Sequence, residues 1–139
     1  MILTGKTKDQ VSVESLATLK VDLCAKIEGL KDTIMRAGFE YQGSLMQGDA
    51  EAQANLMGWV LLNAQGVLTF PRAWRRSDNT FLSIETPADL LTFAGAMANF
   101  KDRVYSGIFT AKDTIRTATD GATAQGIFDA WLAETGTTN

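Results

Sequence analysis

The stretch that decides the fold is TPADLLTFAGAMANFKDRVYSGIFTAKDTIRTA, residues 86–118. Thr86 suits a helix N-cap, Pro87 suits the first helical position, and Asp89 stands three residues after the cap as a capping-box acid. Beyond this start, apolar residues recur at heptad spacing. They are Leu90, Ala94, Met97, Val104, Ile108, Ala111 and Ile115, with Phe93 and Phe100 widening the stripe. The spacing predicts one long helix that reaches Ala118 and buries this stripe.

A second long helix is predicted from Val13 to Arg36, with Gly38 as a left-handed C-terminal cap. Its apolar residues also recur in steps of three and four. They are Leu16, Leu19, Leu23, Ile27, Leu30 and Ile34. Since the seam lasts under three heptads, a helix packed against its own core is favoured over a coiled coil.

Two shorter helices and two β-prone stretches complete the pattern. Asp49 caps a helix from Ala50 to about Gln65, and a last helix follows Asp120-Gly121. Residues 39–47 alternate about Gly43-Ser44, and residues 70–76 and 80–84 flank the turn residues 77–79. The sequence therefore predicts an α+β fold that is mainly α, with about four helices and a small antiparallel sheet or hairpin.

The domain organisation follows from where the periodic segments lie. Residues 13–135 form a single predicted helical domain, preceded by an extended N-terminal arm over 1–12 and followed by a disordered tail over 136–139. Ile2 and Leu3 stand together near the start of the arm. We interpret them as a small apolar anchor for a neighbouring protein.

Composition excludes several classes of chemistry. The chain has no histidine and one cysteine, Cys24, so serine–histidine and cysteine–histidine catalysis and an intrachain disulfide are ruled out. Cys24 falls among Leu23 and Ile27 on the apolar stripe of its helix, and we expect a buried, inert thiol. No carboxylate pair has the spacing of an acid–base couple, and no stretch matches a calcium or phosphate loop. We expect no catalytic residue, no metal and no cofactor.

Charge and hydropathy indicate which partners and which location the protein has. The net charge is −3, which disfavours nucleic acid as a partner. The longest apolar runs are too short to cross a bilayer, and the first residues do not resemble a signal peptide. We therefore expect a protein made in a cytoplasm, with neither a membrane nor a nucleic acid as its partner.

A basic cluster with an aromatic residue stands out at residues 72–76. Such a cluster can bind phosphate, a sugar or a nucleic-acid strand. The favoured interpretation is a solvated hairpin face with the tryptophan packed inward by strand alternation. With the arm, this gives a set of possible partner-binding residues. They are Ile2, Leu3, Arg72, Trp74, Arg75 and Arg76.

The remaining large aromatic residues divide into two groups. Trp59 and Trp131 lie on helical apolar stripes and are predicted to be core. Tyr105 and Phe109 lie off the main stripe, which leaves a further element, a second subunit or water as their surroundings.

A series of short motifs lies between about Leu16 and Ala118. RAGFEYQG at residues 36–43 is followed by Gln47 and by Asp49, which opens a helix. Trp74, Asn79, Thr86, Asp89-Leu90 and the AKDTI stretch at 111–115 come after them. In this order of features the chain resembles a small domain family of unknown function found in the tail-fibre and baseplate-region proteins of tailed bacteriophages.

This resemblance implies a role in assembly and no catalytic residue. It implies a structural protein of a phage tail, a baseplate or tail-fibre component located in the virion. Its expected partners are other tail proteins, and its expected state is a homo-oligomer in a symmetric ring or fibre. The alternative is a tail-fibre assembly chaperone that is not retained in the virion. An enzyme acting on cell-wall sugars is a third and less favoured class.

Overall fold

The computed structural model describes the backbone of residues 8–136 and the side chains of residues 15–136. Over that range the elements are α1 (Lys8–Ala37), β1 (Phe39–Tyr41), β2 (Ser44–Met46), α2 (Ala50–Ala64), β3 (Arg72–Arg75), β4 (Phe81–Ile84), α3 (Pro87–Thr117) and α4 (Gly121–Glu134). β1 pairs with β2 in one antiparallel sheet, and β3 pairs with β4 in another. The predicted mainly α, α+β class with four helices is confirmed.

The first helix is longer than predicted. It begins at Lys8 rather than Val13, so the last five residues of the predicted extended arm, residues 8–12, are helical. The sequence between Lys8 and Val13 contains neither proline nor glycine, so nothing in it stops the helix from extending. Residues 1–7, with the predicted anchor Ile2 and Leu3, and residues 137–139 of the predicted tail lie outside the described residues.

The chain divides into two compact units. One comprises residues Met1–Lys31 and Ser106–Asn139, and the other comprises Asp32–Tyr105. Each long helix contributes one part of its length to each unit. The single domain over 13–135 stays a prediction.

The unit that contains α4 has a core formed by helices alone. Its fully buried side chains include Leu23 and Ile27 of α1 and Ile115 of α3. Lys20 Nζ donates a 2.8 Å hydrogen bond to the carbonyl of Arg116, in the last turn of α3, where a cation is favoured. Cys24 is half-buried rather than buried as predicted, because it lies at the border of the apolar stripe.

The unit formed by residues 32–105 contains both hairpins and α2. Gly38 ends α1 with φ +87°, as predicted, and a Cβ at this position would collide with the Met46 carbonyl. The first hairpin turns at Gln42-Gly43, one residue earlier than predicted, since both residues take the positive φ that a two-residue turn of this hand requires. Ser44 therefore opens β2 and pairs with Tyr41.

The core of this unit joins every element of it. Its buried residues come from the end of α1, both hairpins, α2 and the first half of α3. They are Met35, Phe39, Met46, Ala52, Leu56, Trp74, Leu82, Ile84, Leu90, Phe93, Met97 and Phe100. The predicted α3 stripe is confirmed, with Ala94 and Val104 at its half-buried margin.

The register of α3 predicts how its stability depends on single side chains. Ile108 is 2% exposed and its neighbour Phe109 is 60% exposed. We expect Ile108→Ala to lower the free energy of unfolding by about 2–5 kcal/mol through lost burial and a residual cavity. Phe109→Ala is the control and should change it by less than about 0.5 kcal/mol. Thermal or denaturant unfolding measures both, and equal effects would contradict this register.

The start of α3 predicts a separate, smaller effect. Thr86 Oγ1 accepts the backbone N–H of Asp89 at 3.1 Å. Thr86→Ala removes this acceptor and should cost about 0.5–2 kcal/mol without a change of fold. Thr86→Ser keeps the acceptor and is the matched control in the same unfolding measurement. A serine variant as unstable as the alanine variant would show that the hydroxyl does not cap the helix.

Candidate partner-binding groove

An open groove runs between α2 and β3, and we name it the α2 groove. Its volume is about 530 Å³. Its walls mix small, aromatic and charged residues. They are Gln47, Asp49, Glu51, Ala52, Ala54, Asn55, Gly58, Trp59, Leu62, Ala73, Trp74 and Arg75. This volume lies within the range of clefts that bind ligands, and the walls carry both apolar and charged groups.

Two tryptophans line the groove at right angles to each other. The ring centroids of Trp59 and Trp74 are 5.0 Å apart with an interplanar angle of 88°, and Trp74 continues to Phe93 at 5.3 Å. Trp74 is 8% exposed, so the predicted inward packing is confirmed. Trp59, predicted as core, is half-buried, because one side of it packs on the core and the other borders the groove.

Arg72 lies on the same strand face as Trp74, because residues two apart in a strand share a face. Its guanidinium carbon is 4.6 Å from the centroid of the Trp59 ring. Its Nε is buried without a hydrogen-bond partner in the described chain. The attraction between the cation and the indole face offsets part of that desolvation.

The other two arginines point elsewhere. Arg75 is on the exposed face of β3, with its guanidinium carbon 5.8 Å from the ring of Phe81, its cross-strand partner. Arg76 follows the strand, and its Nη1 donates to Thr80 Oγ1 at 3.3 Å in the hairpin turn. The arginines that are adjacent in sequence therefore do not form one patch, and Arg75 is the member of the three that lines the α2 groove.

The carboxylate of Asp49, at one end of the groove, has a structural role. Asp49 Oδ1 accepts the Ala52 N–H at 3.0 Å as the N-cap of α2, as predicted, and its Oδ2 lies 3.9 Å from Arg36 Nε. Gln53 Nε2 donates to the carbonyl of Gly48 at 2.7 Å. These contacts fix the start of α2 against the end of α1.

Among the residues whose side chains the structure describes, three carboxyl groups have lowered pKa values, and none of them lines the groove. A hydrogen bond from Lys112 lowers the pKa of Glu28, with a 2.6 Å contact. The hydroxyl and then the backbone N–H of Thr80 lower the pKa of Asp78. The backbone N–H of Thr123 lowers the pKa of Asp120, which caps α4. Each shift results from a local hydrogen bond, and none of the three is caused by a second carboxyl group.

Within the described residues, no group of three or more His, Cys, Asp or Glu side chains is placed to hold a metal ion. Over the same residues, no helix combines the length and the apolar character that a membrane span requires.

Sequence reasoning missed the outer side of α2, the helix that forms one wall of the groove. Met57 and Leu61 are each 57% exposed and Leu62 is 44% exposed. The signal was present, since no charged residue occurs from Ala52 to Pro71. Helical periodicity alone does not separate the two sides, because α2 bears large apolar residues on its buried and on its exposed face.

The fold and the groove define a small, mainly helical domain that presents an aromatic-lined surface beside an exposed apolar helix. Residues 18–131 match the family described as Domain of unknown function (DUF4376). Because the match covers most of the chain, the chain belongs to this family. No curated protein and no solved structure shows significant similarity to it.

The separation of the arginines predicts how the hairpin behaves toward nucleic acid. Arg72 is stacked on Trp59 and Arg75 and Arg76 diverge, so few phosphates can be neutralised at once. Gel-shift titration with single- and double-stranded DNA at about 0.15 M salt should therefore show no specific complex. A salt-sensitive complex that is lost in the double variant Arg75→Ala, Arg76→Ala would contradict this expectation.

Proposed function

We propose that the protein is a structural component of a bacteriophage tail, in the baseplate or a tail fibre, that works by docking to other tail proteins. The observation that carries the proposal is the exposed apolar side of α2 beside the α2 groove. Large apolar side chains scattered singly on a surface need no explanation, but several on one helix face indicate a protein contact. Family membership is shown, whereas the link to phage tails rests on the resemblance of the sequence.

The positions that carry this resemblance have structural roles, which supports assembly rather than catalysis. Gly38 ends α1, Asp49 and Thr86 cap helices, and Trp74 packs into the core. Residues that form caps and pack into the core maintain the shape of the domain. Under the proposal, that shape is what other tail proteins recognise.

The groove favours the same class of function. The half-buried Trp59 offers rigid apolar surface beside the buried Trp74, and Arg75 and Glu51 place charges of both signs in its lining. Aromatic and arginine side chains are enriched where proteins bind each other. We therefore infer that the groove contacts protein. Under the proposal, the protein is retained in the virion tail.

Mass spectrometry of purified phage particles tests the proposal. The expected result is the chain in the particle, at a stoichiometry that matches a symmetric ring or fibre. If the chain is absent from particles but copurifies with fibre proteins during assembly, the alternative of an assembly chaperone replaces the proposal. Absence from both samples would overturn both.

The arm gives a second, independent expectation. Residues 1–7 include only Ile2 and Leu3 as branched aliphatic residues, too few to fix a free arm in a packed core, so their deletion should hardly change the melting temperature. Under the proposal, incorporation into particles should fall, since two aliphatic side chains buried in a neighbour contribute about 1.5–3 kcal/mol each. Removal of residues 137–139 is the control and should leave incorporation unchanged. A 1–7 deletion that assembles normally would exclude the arm as an anchor.

A further inference from the structure

Strand β3 has an unpaired edge. Arg76 follows β3, and its N–H donates to the carbonyl of Thr80 at 2.7 Å where the hairpin closes. Hydrogen-bonded and non-hydrogen-bonded pairs alternate along an antiparallel ladder. Counting back from this pair, the backbone groups of Trp74 face β4, whereas those of Ala73 and Arg75 face away from it. We name the N–H and C=O groups of Ala73 and Arg75 the free edge of β3.

The free edge has no partner in the described part of the chain. Strand β2 contacts the chain just beyond β3, where the carbonyl of Leu45 accepts the N–H of Ser77 at 3.0 Å. Within the described residues, no backbone hydrogen bond reaches Ala73 or Arg75 from that side. Both residues are exposed. A row of exposed, unpaired N–H and C=O groups is a template for another strand.

The free edge borders the α2 groove. Three consecutive residues of β3 line this groove, Ala73, Trp74 and Arg75. Consecutive side chains of a strand point to opposite faces, so a cavity that borders all three meets the strand along its edge. The facing wall is α2, where Gly58 has no side chain and a Cβ would meet no heavy atom within 4 Å. The groove therefore leaves space beside the edge.

We propose that the α2 groove binds an extended segment of another protein, which pairs with the free edge of β3 as a third, antiparallel strand. The edge itself identifies the occupant, because alternating N–H and C=O groups at strand spacing match the backbone of another strand. A helix does not match them, since its backbone groups bond to each other. In the antiparallel direction, the segment exchanges both hydrogen bonds with Ala73 and again with Arg75.

The lining of the groove also restricts the side chains of the segment. The residue opposite Trp74 shares the strand face of that indole, and the half-buried Trp59 lies 5.0 Å from it, so an apolar side chain is favoured there. Charges of both signs line the groove, Arg75 on β3 and Asp49 and Glu51 at the start of α2. A strongly charged segment of either sign meets a like charge, so an uncharged segment with alternating apolar residues fits best.

Hydrogen exchange tests the free edge in the isolated protein. The amide of Trp74 is bonded to β4, whereas the amides of Ala73 and Arg75 face the groove. The two outward amides should exchange at least about tenfold faster than that of Trp74. Equal protection of all three would show that the edge is already covered, for example by a terminal segment of the same chain, and would overturn the proposal.

A synthetic strand tests the pairing. The probe is the peptide acetyl-Thr-Val-Thr-Val-Thr-amide, which is uncharged, so its binding reports main-chain contacts. At about 1 mM, it should slow exchange of the Ala73 and Arg75 amides at least about fivefold, as measured by NMR. Absence of this protection would overturn the proposal.

Methylation of the probe tests the register. The threonines are the residues that pair with Ala73 and Arg75, so N-methylation of the threonines should abolish the protection. The N–H groups of the valines point away from β3, and N-methylation of the valines is the matched control that should preserve it. Equal loss with both methylated peptides would contradict the proposed pairing.

Proline substitutions test the edge from the side of the protein. Proline has no N–H, and at an outward-facing position it removes no bond of the ladder. Ala73→Pro should therefore keep the circular dichroism of the chain and weaken binding of the probe at least about tenfold. Ser83→Pro is the matched control, because Ser83 lies opposite Ala73 on β4, faces outward and does not line the groove. Equal weakening by both variants would overturn the proposal.

A second variant tests the groove without changing the strand. Gly58→Leu places a side chain in the space beside the edge and should also weaken binding of the probe at least about tenfold. Gly29→Leu on α1 is its control, since a Cβ on Gly29 would likewise meet no heavy atom within 4 Å. Unchanged binding in the Gly58 variant would exclude the groove as the site.

This inference rests on the proposed function for the source of the segment, another tail protein. The two tests fail separately, because the probe is used with the isolated protein. Presence of the chain in particles without protection by the probe would overturn this inference alone. Protection by the probe with absence of the chain from particles would overturn its assignment to the tail and leave the strand-binding groove in place.

Discussion

Phe93 occupies the position on which the unit of residues 32–105 depends. Its side chain is fully buried, and its ring contacts Phe39 and Tyr41 of β1 and Trp74 of β3. Two-stranded hairpins are marginal by themselves in water, so both need a surface to pack against. Phe93 provides that surface from α3. The position of Trp74, and therefore of the α2 groove, follows from this contact.

The comparison between sequence and structure separates local from non-local information. Gly38, Asp49 and Thr86 were predictable because caps depend on a few adjacent residues. The α3 stripe was predictable because burial repeats at helical spacing. The groove was not, since it forms where β3 passes α2, and the pairing of Trp59 with Trp74 joins elements whose contact no local pattern encodes. The extra turn of α1 escaped because residues 8–12 have few apolar anchors.

The basic cluster shows why adjacency in sequence misleads about charge. Arg72, Arg75 and Arg76 suggest a concentrated positive patch. Strand alternation sends Arg72 to the core side, over Trp59, and Arg75 to the exposed side, over Phe81. Each of these guanidinium groups is thereby paired with a ring of its own chain. What remains for a partner is a mixed aromatic and charged surface, which suits protein recognition better than binding to a polyanion.

The two sides of α2 differ in how far their apolar residues are buried by the chain itself. Burial of an apolar side chain within its own chain lowers the free energy of folding, and Leu56 is buried in this way. Leu61 is 57% exposed, so its burial within the chain is incomplete. Gly58 lowers the stability of the helix, although a side chain at this position would meet no atom within 4 Å. Both features are unfavourable in an isolated helix. The exposed side of α2 is therefore the part of this unit that would gain most from contact with a partner, as the proposed function requires.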